Sequence, residues 1–468
     1  MLNNVTEGYS ALLGAQYCYV MPSRERYQFQ WFWDTCFHVF ILCALGEVEL
    51  AKRNMRSLFR QQEGNGFVGH MVFWRQVLPN RITDVLQARP TLQNLRPHMS
   101  ALVQPPLIAQ ALKRFYEASG DKLFVYELLP KIVQYHDWLA QNRDFDGDGL
   151  MTIISPFESG IDWKPSFDDL VGYRSHATPR RLFTSELYWR VMLKVDASNF
   201  LRQYDLAKIR KRGAFLVKEV AFNTIYACDL RALADLCGSV DLPDRAAHYE
   251  RSAERVGAAI LRLMYDHDTA AFYDLRGGTN TPLKVLTAMS LFPLLLPEMP
   301  KDMAGEIIGR HLSNPDEFAC PYPIPSVAVG ERSFYPAETF ALWRGPTWPV
   351  INWFLFRCLA AKGFEREASS LYRATVDLIE KSGFREYYNP FTGEGYGAEG
   401  FTWSGLVVDM AAPEAVRAVI AMLRARCDGR HLALAMNAAP RFRFAPRARV
   451  PAAPASRRSG HLSCFPMM

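Results

Sequence analysis

The sequence predicts an all-α fold, a toroid of helical hairpins, on three observations. Apolar residues recur at helical spacing through most of the 468 residues. No convincing set of alternating strands competes, apart from short pieces near 151–154 and 271–275. The connections alternate between short turns and long loops rich in Gly, Pro, Trp and acids.

Taken in order, helices are expected at 36–61, 103–118, 122–142, 184–206, 215–237, 242–264, 282–294, 299–312, 346–362, 364–382 and 403–423. Ala118-Ser119-Gly120-Asp121 separates the second from the third. Residues Leu216, Val220, Ala227, Leu230, Ala234 and Cys237 make one stripe of the fifth, with Asn223 inside it. Gly238–Pro243 turns that helix into the next, and Lys362-Gly363 joins the last long pair. The long connections are 24–34, 63–75, 144–166, 265–280, 314–350 and 383–402. On a hairpin toroid they share one rim, and loops on a rigid scaffold are where chemistry concentrates.

Past residue 424 the pattern dissolves into Ala, Pro and Arg. Nine Arg and the single acid Asp428 give residues 424–458 a charge of +8, against +6 for the whole chain. The rest therefore carries −2. A basic footprint on the folded part, which a nucleic-acid partner needs, is missing. The division expected is a domain over 1–423 and a disordered tail over 424–468 that buries too little surface to order itself.

Nine cysteines, an odd number, are scattered without metal-ligand spacing, as reduced thiols in a cytoplasmic protein would be. Ten histidines without paired spacing argue against a metal mechanism, and no phosphate loop or Gly-x-Ser-x-Gly elbow points to a cofactor or a serine nucleophile. No run reaches membrane-spanning length and no leader is evident at the N-terminus. The expected partner is a small carbohydrate.

That expectation comes from acids set among aromatics. Asp162 lies in Glu158-Ser159-Gly160-Ile161-Asp162-Trp163 and Glu386 in Arg385-Glu386-Tyr387-Tyr388-Asn389-Pro390. Cleaving a glycosidic bond takes two carboxyls, with aromatic faces for the sugar. A tryptophan beside an acid can desolvate it, as a proton donor near neutral pH requires. Glu158 is a rival in the first loop; Glu394 and Glu399 are rivals in the second. Asp162 as a turn cap and Glu386 as a surface acid are the bland alternatives.

Asp34, in Trp31-Phe32-Trp33-Asp34, reads either as a helix cap or as a sugar ligand between aromatic platforms. Trp343-Arg344-Gly345-Pro346-Thr347-Trp348-Pro349 enters a helix, with Pro346 suited to its first turn. Arg344 either orients a ligand's oxygens or ties loops together. Asp144-Phe145-Asp146-Gly147-Asp148-Gly149-Leu150 looks like a calcium loop, but Ser155 stands where the closing glutamate belongs. A tight Asp/Gly turn is favoured there.

In order, Trp33-Asp34-Thr35-Cys36-Phe37-His38, Gly69-His70-Met71, Gln104-Pro105-Pro106, Asp146-Gly147-Asp148-Gly149-Leu150, Glu158-Ser159-Gly160-Ile161-Asp162, Trp343-Arg344-Gly345-Pro346-Thr347-Trp348, Glu386-Tyr387-Tyr388-Asn389-Pro390 and Phe401-Thr402-Trp403-Ser404 resemble glycoside hydrolase family 63. The resemblance covers about residues 24–423 and is nearest to the bacterial branch of mannosylglycerate and glucosylglycerate hydrolases, related to trehalases. It implies an (α/α)6 barrel, a six-hairpin toroid, and an inverting α-glycosidase acting on a glucoside or mannoside. It implies Asp162 as general acid and Glu386 as general base. It places sugar contacts on Tyr27, Trp31, Phe32, Trp33, Asp34, Gln104, Gly160, Trp343 and Arg344. The usual Asp-Asn-Ser-Pro after the acid is Asp162-Trp163-Lys164-Pro165 here, and residues 168–190 do not align with the loop that grips glycerate. The rival function is a sugar-binding protein or a sugar epimerase on the same scaffold, with His38 and His70 as the epimerase's acid and base.

Overall fold

The stretch expected as one helix over 36–61 folds as two, α1 (Phe32–Ala44) and α2 (Val48–Arg60). Gly46, at φ +77°, takes the left-handed conformation that ends α1, a turn most residues resist. The computed structural model describes residues 1–11, 13–74, 98–173, 185–337, 342–411 and 416. The disordered tail expected over 424–468 lies outside them, as do residues 174–184 of the 168–190 stretch.

The next helix, α3 (Ile108–Ser119), starts five residues later than expected, past Pro105 and Pro106. It ends at left-handed Gly120, and α4 (Lys122–Arg143) opens at once with the Asp121 carboxylate accepting from Phe124 N. A helix follows at Ser185–Leu201, close to the expected 184–206. In α5 (Val220–Ser239) the N-cap is Glu219, whose side chain accepts from Phe222 N; residues 217–218 before it are strand, not helix. Pro243 sits at the first position of α6 (Pro243–Leu263), where its missing N–H costs nothing. The expected helix 282–294 is a 3-10 segment, Ala288–Leu295, preceded by strand at Thr281–Leu283. Residues 299–312 form helix Lys301–Ile307, which widens into a π turn. Pro349, not Pro346, occupies the first turn of α7 (Pro349–Ala361), and α8 (Glu365–Ser382) follows as expected.

Neighbour relations close into a circle within the unit Met1–Arg417. The helix α1 packs on α3, α3 on α5, and α5 on the 288–295 segment. That segment packs on α7, α7 on residues 402–410, and these return to α1. Outside, α2 leans on α1, α4 on α3, α6 on α5 and α8 on α7. Sequence explains which helix goes where. In α1 every residue from Phe32 to Cys43 is buried, whereas α8 buries only Ala368, Leu371, Thr375 and Leu378, a single stripe. A helix apolar on all sides belongs inside; one with an apolar stripe covers it.

Two hairpins are absent from the helical reading of the sequence. The strands β1 (Val5–Ser10) and β2 (Ala15–Val20) pair and pack on α2, where Ser57 Oγ accepts from Cys18 N at 2.8 Å. The other pair, β3 (Arg385–Tyr388) and β4 (Gly395–Glu399), turns the glycine-rich stretch expected as loop into a small sheet. Among the described residues no helix is long and apolar enough to cross a membrane.

Candidate active site

Glu386 lies on β3, buried, with its carboxylate fixed from two sides. Tyr27 Oη donates to Oε1 at 2.8 Å and Ala398 N, from β4, donates to Oε2 at 2.9 Å. The Arg26 guanidinium is 3.9 Å from Oε2. Gly397, at φ +70°, makes the close approach possible, since a Cβ there would lie 2.6 Å from Oε2. Gly397→Ala should therefore push the carboxylate aside. A misplacement of that kind is expected to cut kcat about 10²-fold; a variant with unchanged steady-state kinetics would show that the position of Glu386 is not set here.

The Tyr27 hydroxyl bonds one candidate acid, Glu386, and senses the charge of the other, Asp162. Tyr27 is half-buried, and its pKa stands well above the usual range because of burial, the adjoining Glu386 charge and a further contribution from Asp162. Both carboxylates thus act on one hydroxyl.

Asp162 sits in a half-buried turn after the short 3-10 segment Pro156–Ser159. Gly160 (φ +70°) precedes it, and a Cβ there would collide with the Trp33 ring. The backbone can therefore lie flat on that indole only with glycine. Trp33 N in turn donates to Gln104 Oε1 at 3.1 Å, so three sequence-separated candidates meet.

Structure separates the acids that sequence could not. Glu158 is fully buried and gripped by Arg143, with Nη1 to Oε2 at 2.8 Å and Nη2 to Oε1 at 2.5 Å. It also accepts from Val103 N and Ile154 N, so it holds the loop together. Glu394 is exposed beside Tyr396, and Glu399 is 74% exposed and paired with Arg385.

Asp34 is inside the first turn of α1, not its cap; Trp31 holds that position. Its Oδ1 accepts from Trp403 Nε1 at 2.6 Å. Burial raises its pKa to about 7; the Trp403 hydrogen bond opposes this and the Glu386 charge adds to it. The sign follows from proton uptake. The unfolded carboxyl ionises near 4 and the folded one near 7, so between those values the folded state holds more protons. Stability from this group is present below about pH 4 and lost as pH rises toward 7, by roughly 1.4 kcal/mol per pH unit. Asp34→Asn keeps an acceptor for Trp403, so urea unfolding at pH 5 and pH 8 should differ less than in the wild type; an unchanged difference would place the effect elsewhere.

Aromatic faces line the same region. Trp343 stacks on Trp348 at 3.7 Å, and Trp348 on Tyr387 at 4.9 Å. The Trp403 ring meets Trp33 edge-on at 5.2 Å, and Tyr27 meets Trp31 at 6.1 Å. Trp31 Nε1 is a buried donor with no acceptor among the described residues. Arg344 forms a bidentate pair with Asp168 and lies 5.3 Å from the Tyr173 ring centroid, which is the loop-tying reading of that residue. Phe32, expected as a sugar contact, turns its side chain into the core, against Tyr135. Trp348, Trp403 and Arg26 belong to the neighbourhood without being among the sequence candidates. The two tryptophans stand in quoted motifs; Arg26 carries no signal beyond adjoining Tyr27.

Other readings lose ground. Burial lowers both His38 and His70 to about 3, so neither can serve as the proton donor of an epimerase near neutrality. His70 bonds Ser100 and His38 bonds Thr402. The calcium-like turn encloses an ammonium: Lys218 Nζ lies 2.6 Å from Asp146 Oδ2, 2.5 Å from Asp148 Oδ2 and 2.7 Å from Asn280 Oδ1.

Comparison with known proteins gives four consistent findings. Residues 27–404 match the profile of the mannosylglycerate hydrolase MGH1-like glycoside hydrolase domain. The chain is 30% identical over 425 residues to the mannosylglycerate hydrolase of Rubrobacter radiotolerans, covering 83% of this chain and 92% of that one. It is 27% identical over 415 residues to the glucosylglycerate hydrolase of Mycolicibacterium hassiacum, covering 82% and 91%. Among solved structures, the family 63 mannosylglycerate hydrolase of Thermus thermophilus, in complex with Tris and D-glycerate, superposes with a TM-score of 0.74 at 25% identity over 84% of this chain and 95% of that one.

Proposed function

Because this chain belongs to the mannosylglycerate hydrolase MGH1-like family of glycoside hydrolases, we propose that it hydrolyses an α-linked mannoside or glucoside of glycerate with inversion. Asp162, protonated, gives its proton to the glycosidic oxygen as the C1–O bond breaks. Water attacks C1 from the opposite face and passes a proton to the Glu386 carboxylate. Inversion requires the two carboxyls to be roughly 6.5–9.5 Å apart, so that the water fits between them. The reading is supported above all by the family match over residues 27–404, with the buried Glu386 carboxylate held by the Tyr27 hydroxyl as its geometric counterpart.

Around that axis, Trp31, Trp33 and Trp343 supply faces for the hexose. Asp34, Gln104, Tyr27 and the backbone at Gly160 take its hydroxyls, and Arg344 fixes the loop that carries Trp343. The circle of helices is an (α/α)6 barrel whose decorated loops meet at one end. The domain runs over 1–423, and the Arg-rich remainder, 424–468, follows it in sequence. The free cysteines among the described residues suit a reducing cytoplasm.

The test is hydrolysis of mannosylglycerate, glucosylglycerate and trehalose, followed by proton NMR of the first sugar released. Cleavage of a glycerate glycoside with β-hexose appearing first is the expected result. α-Hexose appearing first would refute inversion, and cleavage of trehalose alone would refute the glycerate assignment.

A further inference from the structure

Asp162 is held on its upstream side by Gly160 lying against Trp33. Its downstream side depends on a lysine. Lys164, two residues on, is fully buried and reaches two carboxylates from elements far away in sequence. It pairs with Glu219, the cap of α5, and lies 2.8 Å from Asp274 Oδ1 in the strand Asp274–Arg276. Asp274 also accepts from Ser166 Oγ at 2.6 Å and from Val220 N at 2.9 Å. Lys164 N donates to Ile161 O at 3.0 Å, closing the turn that displays Asp162.

We propose that Lys164 is a positioning residue for the general acid, fixing the Asp162 turn to the α5 terminus and the 274–276 strand through Glu219 and Asp274. The proposal rests on the assignment of Asp162 given above. The lysine falls where this sequence departs from the Asp-Asn-Ser-Pro motif, in place of its serine. Burial works against the ammonium, but the charges of Asp274 and Glu219 more than offset it. Breaking a buried pair leaves an uncompensated charge, so a neutral residue at 164 should let the turn move.

A displaced general acid has a signature that general loosening does not. Glycosides with a poor leaving group need proton donation; glycosyl fluorides of the same hexose do not. Lys164→Met should lower kcat/KM on the glycerate glycoside about 10²-fold, the scale of general acid catalysis, while activity on the α-glycosyl fluoride stays within about fivefold. Lys164→Arg, which keeps the charge, should recover most of the loss. Should Lys164→Met fail to fold, Asp274→Asn, which keeps the acceptor for Ser166 and weakens the pair, is read in the same way. Equal losses on both substrates, or no loss on either, would overturn the proposal. Asp162→Asn is the control. If it shows the leaving-group signature and the Lys164 variant does not, positioning fails and the acid assignment stands. If Asp162→Asn lacks the signature, the acid assignment itself fails.

Discussion

Glu386→Gln and Asp162→Asn should each lower kcat on a glycerate glycoside by roughly 10²–10⁴-fold, the range that a positioned proton donor or acceptor contributes. KM should change far less, because both changes preserve the size and shape of the side chain. For Glu386→Gln the cause is specific. Tyr27 and Ala398 already hold one carboxylate oxygen each. The amide that replaces the carboxylate has no lone pair able to take a proton from water, although the acceptor for one of those donors survives. The rival acids provide the contrast. Glu158→Gln should lose stability through its Arg143 pair without the same collapse in turnover per folded molecule, and Glu394→Gln and Glu399→Gln should be close to silent. Measuring kcat for all five variants, corrected for the folded fraction, decides the matter. Full activity in either Asp162→Asn or Glu386→Gln would remove that residue from the chemistry.

The largest loss of stability is expected from Arg143→Met. Arg143 is 1% exposed and the Glu158 side chain 0%, and they face each other as two parallel hydrogen bonds. Removing one partner of such a pair costs about 3–5 kcal/mol, because the other charge stays buried and uncompensated. Only the Val103 and Ile154 amides would remain to it. The affected segment leads directly into Gly160 and Asp162, so activity should fall at a lower temperature than the bulk of the helices unfolds. Thermal inactivation followed alongside circular dichroism tests this. A melting midpoint within about a degree of the wild type would mean that the charge finds water.

The inner helices were legible because burial on all sides writes an unbroken apolar run, as in Phe32–Cys43. Their ends were less so. Gly46 falls inside one apolar run, and only the turn it makes in space shows that α1 and α2 are separate. The β3–β4 hairpin escaped because four residues before a glycine-rich turn carry too little alternation to register. Site segments were found by their aromatics and acids, yet which acid does what was not readable from spacing. Glu158 and Asp162 differ by four positions and share similar neighbours. What divides them is Arg143 at the end of α4, a partner that no local window connects to either.

Lys218 has a consequence for the conditions in which this protein can work. Where a divalent ion would otherwise knit the 144–149 turn, the polypeptide carries its own positive charge, inserted between two aspartates and an asparagine. That turn needs no supply from outside. Chelators should leave its shape untouched, and swings in calcium should pass unnoticed by this turn, whose charge is balanced by one side chain.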